Sequence, residues 1–394
     1  MKLRALALKL LAGALCLGLL SGSALGQAVV DCSGATPGAF TTITAALASL
    51  PAAGPNSVSV VGTCHENVVF IGRSDLIIFG NPTATVVPGN ASGHLLAIDS
   101  STRIGIQNIT FDGGRGVIVD ENSKVDFTSV TVQNSGGIGI TSLDSQVHIA
   151  DSTVQNSVRS GISTSGGAFY VDSDVTGTTV TNNGRSGIAV LTGHLILNGG
   201  DGVTPGTQNV FSNNGLSGVE VASTGEADIS GDNRIIGNHG TWALLVLNGS
   251  SILVTGGTIN SNTGLGVHCG GTSHCEFGGG GTQINSNGTG GIEVVEHSDA
   301  SIDGGVDISG NTGTGVLVDQ SSSLTSLGGN TINNNTDDGI LLNNLSALKF
   351  VAIDTITGNT NDSLECGNGS LVIGDISTLT KKKCGSAFQS KPVN

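Results

Sequence analysis

The stretch NNGLSGVEV at residues 213–221 recurs along this chain in only slightly altered form. Related segments are NNGRSGIAV at 182–190, NSNGTGGIEV at 285–294, GNTGTGVLV at 310–318 and NNTDDGILL at 334–342. In each of them an Asn is followed four residues later by a Gly and then by a branched apolar residue. Copies follow one another at intervals of about 24 residues, and a fixed period of this size is typical of a solenoid.

Three columns of residues keep this period. The Asn column is Asn183, Asn214, Asn238, Asn262, Asn287, Asn311, Asn335 and Asn359. The apolar column five places further on is Ile188, Val219, Ala243, Val267, Ile292, Val316, Ile340 and Leu364, and a third column is Ile235, Ile259, Ile284, Ile308, Ile332 and Ile356. We expect the apolar columns inside the fold. The Asn column is expected at turns, where Asn tolerates left-handed backbone and can bond to the coils on either side.

The apolar runs of each repeat are three to four residues long, which is strand length, and Gly-rich turns separate them. A helical repeat would need longer runs with a period of 3.6 residues. The sequence therefore predicts an all-β chain, a parallel β-helix with about 24 residues per coil.

The ends of a solenoid expose open strand edges, which must be covered. FTTITAALASLP at 40–51 has apolar residues at helical spacing before Pro51, so a short N-terminal capping helix is expected. We place the N-terminal cap and first coils at 27–110, regular coils at 111–365, and a C-terminal cap and tail at 366–394.

Residues 1–26 have the three parts of a secretory signal: basic residues, an apolar run from Leu10 to Leu20, and small residues at Ala24 and Gly26. A lipoprotein signal using Cys16 is the alternative, although Leu15 is larger than lipid attachment prefers. Cleavage would leave 12 cations against 30 acids, a net charge of −18. We therefore expect a secreted monomer with no membrane span, and an acidic surface that repels nucleic acid.

Six cysteines follow the signal: Cys32, Cys64, Cys269, Cys275, Cys366 and Cys384. An even number in a secreted chain suggests disulfides, with 15 pairings open to the sequence alone. We expect nearest neighbours to pair, because each bond would then hold one end or one loop. A metal site is the alternative for Cys269 and Cys275, which have His268 and His274 beside them, although the spacing is not a standard zinc pattern.

The segments at 40–51 and NSVSVVGTCHENVVF at 56–70, followed by Asn-Gly-rich coils, resemble secreted bacterial right-handed β-helix repeat proteins of the pectin-lyase-like superfamily. The resemblance covers nearly all of the mature chain and implies a right-handed parallel β-helix. That superfamily includes polysaccharide lyases, hydrolases, esterases and epimerases as well as surface adhesins, so the fold does not choose a function.

Catalytic motifs of the superfamily are not evident. The carboxylate motifs of pectin methylesterases are missing, and Asn335-Thr336-Asp337-Asp338 imitates a polygalacturonase motif but occupies the repeated turn. We interpret it as a turn.

One outward column does bring acid–base groups together. It runs two residues after each anchor Gly, through Ala189, Glu220, Leu244, His268, Glu293, Leu317, Leu341 and Glu365. His268 and Glu293 should be neighbours about 5 Å apart, close enough for acid–base catalysis, although such a pair on an exposed sheet is also an ordinary cross-strand contact. We can place no comparable partner beside His65, His94, His148, His194 or His297 from the spacing.

Glu220, Asp303, Asp307 and Trp242 are further ligand-binding candidates. Asp303 and Asp307, with Asp299, could add a calcium site along the coil of Glu293, and calcium is the only cofactor that the sequence suggests. Trp242 stands at an anchor Gly position and should point outward. Trp242 and Tyr170 are the only Trp and Tyr in the chain.

Two functions remain open. A non-catalytic secreted protein is favoured, because catalytic residues are scarce. It would be either a structural scaffold or a scaffold that binds a partner such as a polysaccharide or a cell-surface glycan. The alternative is a carbohydrate-active enzyme, a lyase, hydrolase or epimerase acting on uronan polysaccharide at His268 and Glu293.

Overall fold

The computed structural model describes residues 26–172, 176–200, 207–278, 280–367, 369–384 and 388–390. Residues 1–25 of the expected secretory signal lie outside the described residues. The described chain forms a single helix and 40 strands, and the strands pair in parallel in two sheets of 26 and 14 strands. The expected all-β parallel solenoid is confirmed.

The helix α1 is Ile43–Ser49. The first strands are β1 Gly26–Asp31, β2 Asn56–His65, β3 Val68–Ile71, β4 Ser74–Val87, β5 Leu96–Asp99, β6 Thr102–Asp112, β7 Val117–Asp120, β8 Lys124–Thr128, β9 Thr131–Gln133, β10 Ile140–Leu143, β11 Gln146–Ala150, β12 Thr153–Gln155, β13 Ile162–Ser165, β14 Ala168–Asp172, β15 Thr179–Thr181 and β16 Ile188–Val190. The middle strands are β17 His194–Asn198, β18 Asn209–Ser212, β19 Val219–Val221, β20 Glu226–Ser230, β21 Asn233–Ile236, β22 Trp242–Val246, β23 Ser251–Thr255, β24 Thr258–Asn260, β25 Leu265–Cys269, β26 His274–Gly278, β27 Gln283–Asn285 and β28 Ile292–Val294. The last strands are β29 Asp299–Ile302, β30 Asp307–Ser309, β31 Val316–Val318, β32 Ser323–Ser326, β33 Thr331–Asn333, β34 Ile340–Leu342, β35 Ala347–Phe350, β36 Thr355–Thr357, β37 Leu364–Cys366, β38 Leu371–Ile373, β39 Lys382–Lys383 and β40 Phe388–Ser390.

From β8 onward most coils contribute one strand to each of three stacks, which we call faces 1, 2 and 3. Face 1 begins with β8, β11 and β14, and face 2 begins with β9, β12 and β15. The long strand β6 pairs with both β8 and β9, so one continuous strand precedes these two faces. Face 3 is the 14-stranded sheet from β3 to β39.

Coil length varies along the solenoid. Hydrogen-bonded partners on successive coils are 22 residues apart at Ser123 and Ser145, and 24 apart at Asn287 and Asn311. The 24-residue period therefore describes the later coils, and the first coils with three separate strands are shorter. Coiling also begins well before residue 110, because β1 already pairs with β2.

The repeated Asn column is a buried hydrogen-bonded ladder. The Oδ1 atom of Asn287 accepts from the backbone N–H of Asn262 at 3.3 Å and from its Nδ2 at 3.0 Å. In turn, Nδ2 of Asn287 donates to Oδ1 of Asn311 at 3.1 Å and to the carbonyl of Ile259 at 3.0 Å. Buried polar groups are tolerated only with such partners, so each rung fixes the one below it.

Left-handed backbone lies one residue before the ladder, and not at the ladder Asn as expected. Asn213 has φ 54°, Ser286 has φ 57°, and Gly310 has φ 63°. The ladder Asn stays buried because its preceding residue turns the chain. This explains why Asn, Ser or Gly, which tolerate or readily adopt that conformation, precedes each ladder residue.

An extra residue shifts the register at β22. Trp242 pairs with Leu265, and Leu244 pairs with both Val219 and Val267. Leu244 therefore occupies the interior column predicted for Ala243, and Leu245 occupies the outward position predicted for Leu244. Trp242 therefore stands one residue before the anchor position, which Ala243 occupies.

The N-terminal end is closed by α1 as predicted. Its residues Ile43, Ala46 and Leu47 are buried, and Thr42 caps the helix by accepting from the N–H of Ala45. The carboxylate of Glu66 accepts from the backbone N–H of Ile43 at 2.6 Å, which ties the helix to the first coils. In the described part of the chain no helix has the length and apolar character to cross a membrane.

Candidate functional site

Three disulfides join the nearest-neighbour cysteines, as expected. The pairs are Cys32–Cys64, Cys269–Cys275 and Cys366–Cys384. Because the sulfurs of Cys269 and Cys275 are bonded to each other, they are not available as zinc ligands.

His268 and Glu293 are in direct contact on face 3. β25 and β28 place them opposite each other, and Nδ1 of His268 lies 2.6 Å from Oε2 of Glu293. Their flanking residues Val267, Cys269 and Val294 are fully buried, so strand alternation turns both polar side chains outward. The His268 side chain is only 10% exposed and that of Glu293 is 27% exposed, so the imidazole is the more buried of the two groups.

The loop after β25 is shaped around the imidazole. A Cβ atom at Gly270 would lie 2.6 Å from Nε2 of His268, so only glycine leaves room for the ring in this position. The disulfide between Cys269 and Cys275 spans the same loop. Together these features fix the orientation of His268 from one side.

Trp242 covers His268 from the preceding coil. The two ring centroids are 5.0 Å apart with the planes tilted by 42°. Beside the indole lies a groove of about 440 Å³, lined by Thr241, Trp242, Leu265, Thr289, Gly290, Ile292, Glu293, Thr314 and Leu317. Glu293 is the one charged group among these lining residues, and none of them is Lys or Arg. We call this the face 3 groove.

The other predicted ligand residues do not join the groove. Glu220 lies two coils before His268, outside the groove lining, and accepts from the hydroxyl of Ser186 at 2.7 Å. Asp307 lies on β30 of face 2, where Asn285 donates to it at 3.3 Å, and Asp303 lies in the turn before that strand. Asp303 and Asp307 therefore lie away from Glu293.

A different group of carboxylates converges near the C-terminal end. Oxygens of Asp338, Asp362 and Glu365 lie within 4.8 Å of one another. Burial, followed by the neighbouring negative charges, raises the pKa of Asp338. Lys383 donates to Glu365 at 2.6 Å. The segment 335–338 still forms the repeated turn, because Asn335 belongs to the ladder.

Face 1 carries histidine–carboxylate contacts that lie outside the columns traced in the sequence. His148 lies between two aspartates: its Nε2 is 2.7 Å from Asp172 and its Nδ1 is 3.4 Å from Asp126. Nε2 of His194 is 3.0 Å from Asp228. His148 and His194 therefore have carboxylate partners that could not be placed from the sequence spacing.

A local signal for the His148 contacts exists in the sequence. The segment TVQNS occurs at 131–135 and again at 153–157, a spacing of 22 residues. Applying this shorter period would have aligned Asp126 with His148 and His148 with Tyr170, which is the register of β8, β11 and β14.

No family model matches the chain, and no curated protein matches it. Solved structures share the fold. The A-module of the mannuronan C-5 epimerase AlgE4 from Azotobacter vinelandii is 16% identical, and the match covers 87% of this chain and 99% of that chain with a TM-score of 0.50. The surface adhesin PfbA of Streptococcus pneumoniae is 11% identical, with 82% of this chain and 87% of that chain covered and a TM-score of 0.39. At these identities the likeness shows the fold alone.

Proposed function

This chain is a right-handed parallel β-helix protein, and from that architecture we propose that it is an exported scaffold that binds a polysaccharide or a cell-surface glycan without catalysis. The observation that carries the proposal is the placement of its single Trp. In a chain with one Trp and one Tyr, Trp242 lines the groove that also contains Glu293.

The chemistry of the face 3 groove suits a sugar. An indole offers an apolar surface to a pyranose ring, and binding sites commonly combine such a surface with a few fixed polar groups. Glu293 supplies the polar group, since one of its oxygens is held by His268 and the carboxylate keeps further acceptor capacity for hydroxyl groups. Thr241, Thr289 and Thr314 add hydroxyls along the same groove.

Export is supported by the three disulfides. Such bonds persist in oxidising compartments and are rare in the reducing cytosol. The segment expected to direct export lies outside the described residues, so its cleavage is tested by sequencing the N-terminus of protein recovered from the culture medium or periplasm.

The binding proposal is tested with immobilised alginate, polygalacturonate and galactomannan, each with and without calcium. We expect retention on at least one of them, with affinity at least ten-fold weaker in Trp242→Ala and weaker by a smaller factor in Glu293→Gln. Leu341→Ala is the matched control, because Leu341 shares the outward column of Glu293 two coils further on. Equal binding by wild type and Trp242→Ala would contradict the face 3 groove as the binding site.

A second candidate function is a carbohydrate-active enzyme acting on a uronan. The 2.6 Å contact between His268 and Glu293 favours it, because this is the distance of a general acid–base pair. Product analysis on the same three polysaccharides should then show turnover that His268→Ala and Glu293→Gln abolish. Absence of turnover on all of them, or turnover that both variants retain, would contradict this function.

A further inference from the structure

Tyr170, the only tyrosine of the chain, has surroundings that match those of Trp242. It pairs in register with His148 on face 1, and His148 contacts two carboxylates. Trp242 lies against His268, which contacts Glu293. The only Trp and the only Tyr of the chain thus each lie beside an outward histidine–carboxylate contact, and the two contacts are on different faces of the solenoid.

The residues around Tyr170 form a shallow groove. Strands β8, β11 and β14 bring Asp126, His148 and Tyr170 into one outward column, while their strand neighbours Val147 and Phe169 are buried. The groove measures about 280 Å³ and is lined by Arg103, Lys124, Val125, Asp126, Gln146, Val147, His148 and Tyr170. We call it the face 1 groove.

The polar groups of the face 1 groove are available for a ligand. Gln146 and Lys124 are exposed, no hydrogen bond within the described residues occupies the Lys124 ammonium, and the Asp126 side chain is 65% exposed. His148 is held by Asp172 on the next coil, and Asn198 donates to the other oxygen of Asp172 at 2.7 Å. An aromatic ring, an amide, a carboxylate and an ammonium therefore converge on one concave surface.

We propose that the face 1 groove is a second binding site for a pyranose polysaccharide, with the sugar ring on Tyr170 and its hydroxyls bonded to Asp126 and Gln146. This inference rests on the proposed function of the face 3 groove and extends it. Because the two grooves lie on different faces, one molecule holds two polysaccharide chains and links them. Binding at both grooves raises the effective affinity for the polysaccharide, because the second contact becomes intramolecular once the first has formed.

The test uses the full chain and calorimetric titration with mannuronate, galacturonate and mannose hexasaccharides. We expect two sites per molecule in wild type, one in Tyr170→Ala, one in Trp242→Ala and none in the double variant. Wild type should also raise the viscosity of the matching polysaccharide, and both single variants should lose this effect. Leu253→Ala is the matched control, because Leu253 lies in the same outward column three coils after Tyr170.

The outcomes separate the two proposals. One site in wild type that Trp242→Ala abolishes, with Tyr170→Ala unchanged, overturns the second site and leaves the proposed function intact. No binding of any hexasaccharide or parent polysaccharide overturns both. If Tyr170→Ala does not fold, Gln146→Ala serves instead, because its exposed side chain can be removed without disturbing the core. If Gln146→Ala still bound at two sites with the affinity of wild type, the result would contradict a binding site in the face 1 groove.

Discussion

His148 should remain protonated far above neutral pH, and its charge should stabilise the fold. Hydrogen bonds to Asp126 and to Asp172 raise its pKa from 6.5 to about 10. In the unfolded chain His148 keeps its ordinary pKa, so the folded chain binds this proton more tightly than the unfolded chain does. The stabilisation is fully present below pH 6.5, and it is lost as the pH rises towards and through about 10.

The size of this effect follows from the difference between the two pKa values. At about 1.4 kcal/mol per pKa unit, it corresponds to about 5 kcal/mol before screening is considered. The His148 side chain is 31% exposed and that of Asp126 is 65% exposed, so water weakens the attraction. We therefore expect about 2 kcal/mol of the free energy of unfolding to depend on the His148 charge.

Urea unfolding of wild type and His148→Gln measures this dependence. The variant should be less stable by about 2 kcal/mol at pH 6, and the difference should shrink towards zero by pH 10.5. His239→Gln is the matched control because His239 is exposed in a turn, and it removes any general effect of pH on the solenoid. Nuclear magnetic resonance titration of the His148 ring gives a direct check. A midpoint near pH 6.5 would refute the reasoning.

Three further outcomes concern stability. Asn287→Ala removes four hydrogen bonds of the buried ladder and should lower the free energy of unfolding by about 3 kcal/mol in urea, whereas a loss below about 1 kcal/mol would show that the ladder contributes little. Because burial raises the pKa of Asp338, its charge opposes folding at neutral pH. Asp338→Asn should therefore be more stable than wild type at pH 7, with the gain disappearing below pH 3.8, and a gain that persists at pH 3 would contradict this cause. Replacing Cys32 and Cys64 by Ser opens a 32-residue loop and should cost about 3 kcal/mol, and unchanged unfolding midpoints would argue against a stabilising bond.

The interior of this fold could be predicted from the sequence because stacking places like residues on like. A constant interval along the chain then becomes a contact in space, so the Ile column from Ile235 to Ile356 is both a sequence pattern and a buried ladder. The contact between His268 and Glu293 could be predicted for the same reason, since their coils are of nearly regular length.

Prediction failed where coil length changes. The extra residue before Trp242 moved Leu244 into the core, and the shorter coil before His148 hid Asp126 from a 24-residue alignment. Turns accept inserted residues at low free-energy cost. A change in coil length therefore requires no distinctive residues that would reveal it in the sequence. The groove beside Trp242 depends on side-chain packing across four coils and could not be derived from spacing at all.

The positions of these irregular coils bear on function. Like-on-like stacking makes an outward face uniform along its length. Trp242 stands where one coil gains a residue, and Tyr170 stands where the interval between paired residues grows from 22 to 26. Both aromatic residues thus occur where the repeat is broken and neighbouring coils no longer match. In this solenoid the Asn ladder of segments such as NNGLSGVEV maintains the fold, and departures from its period indicate where ligands should be sought.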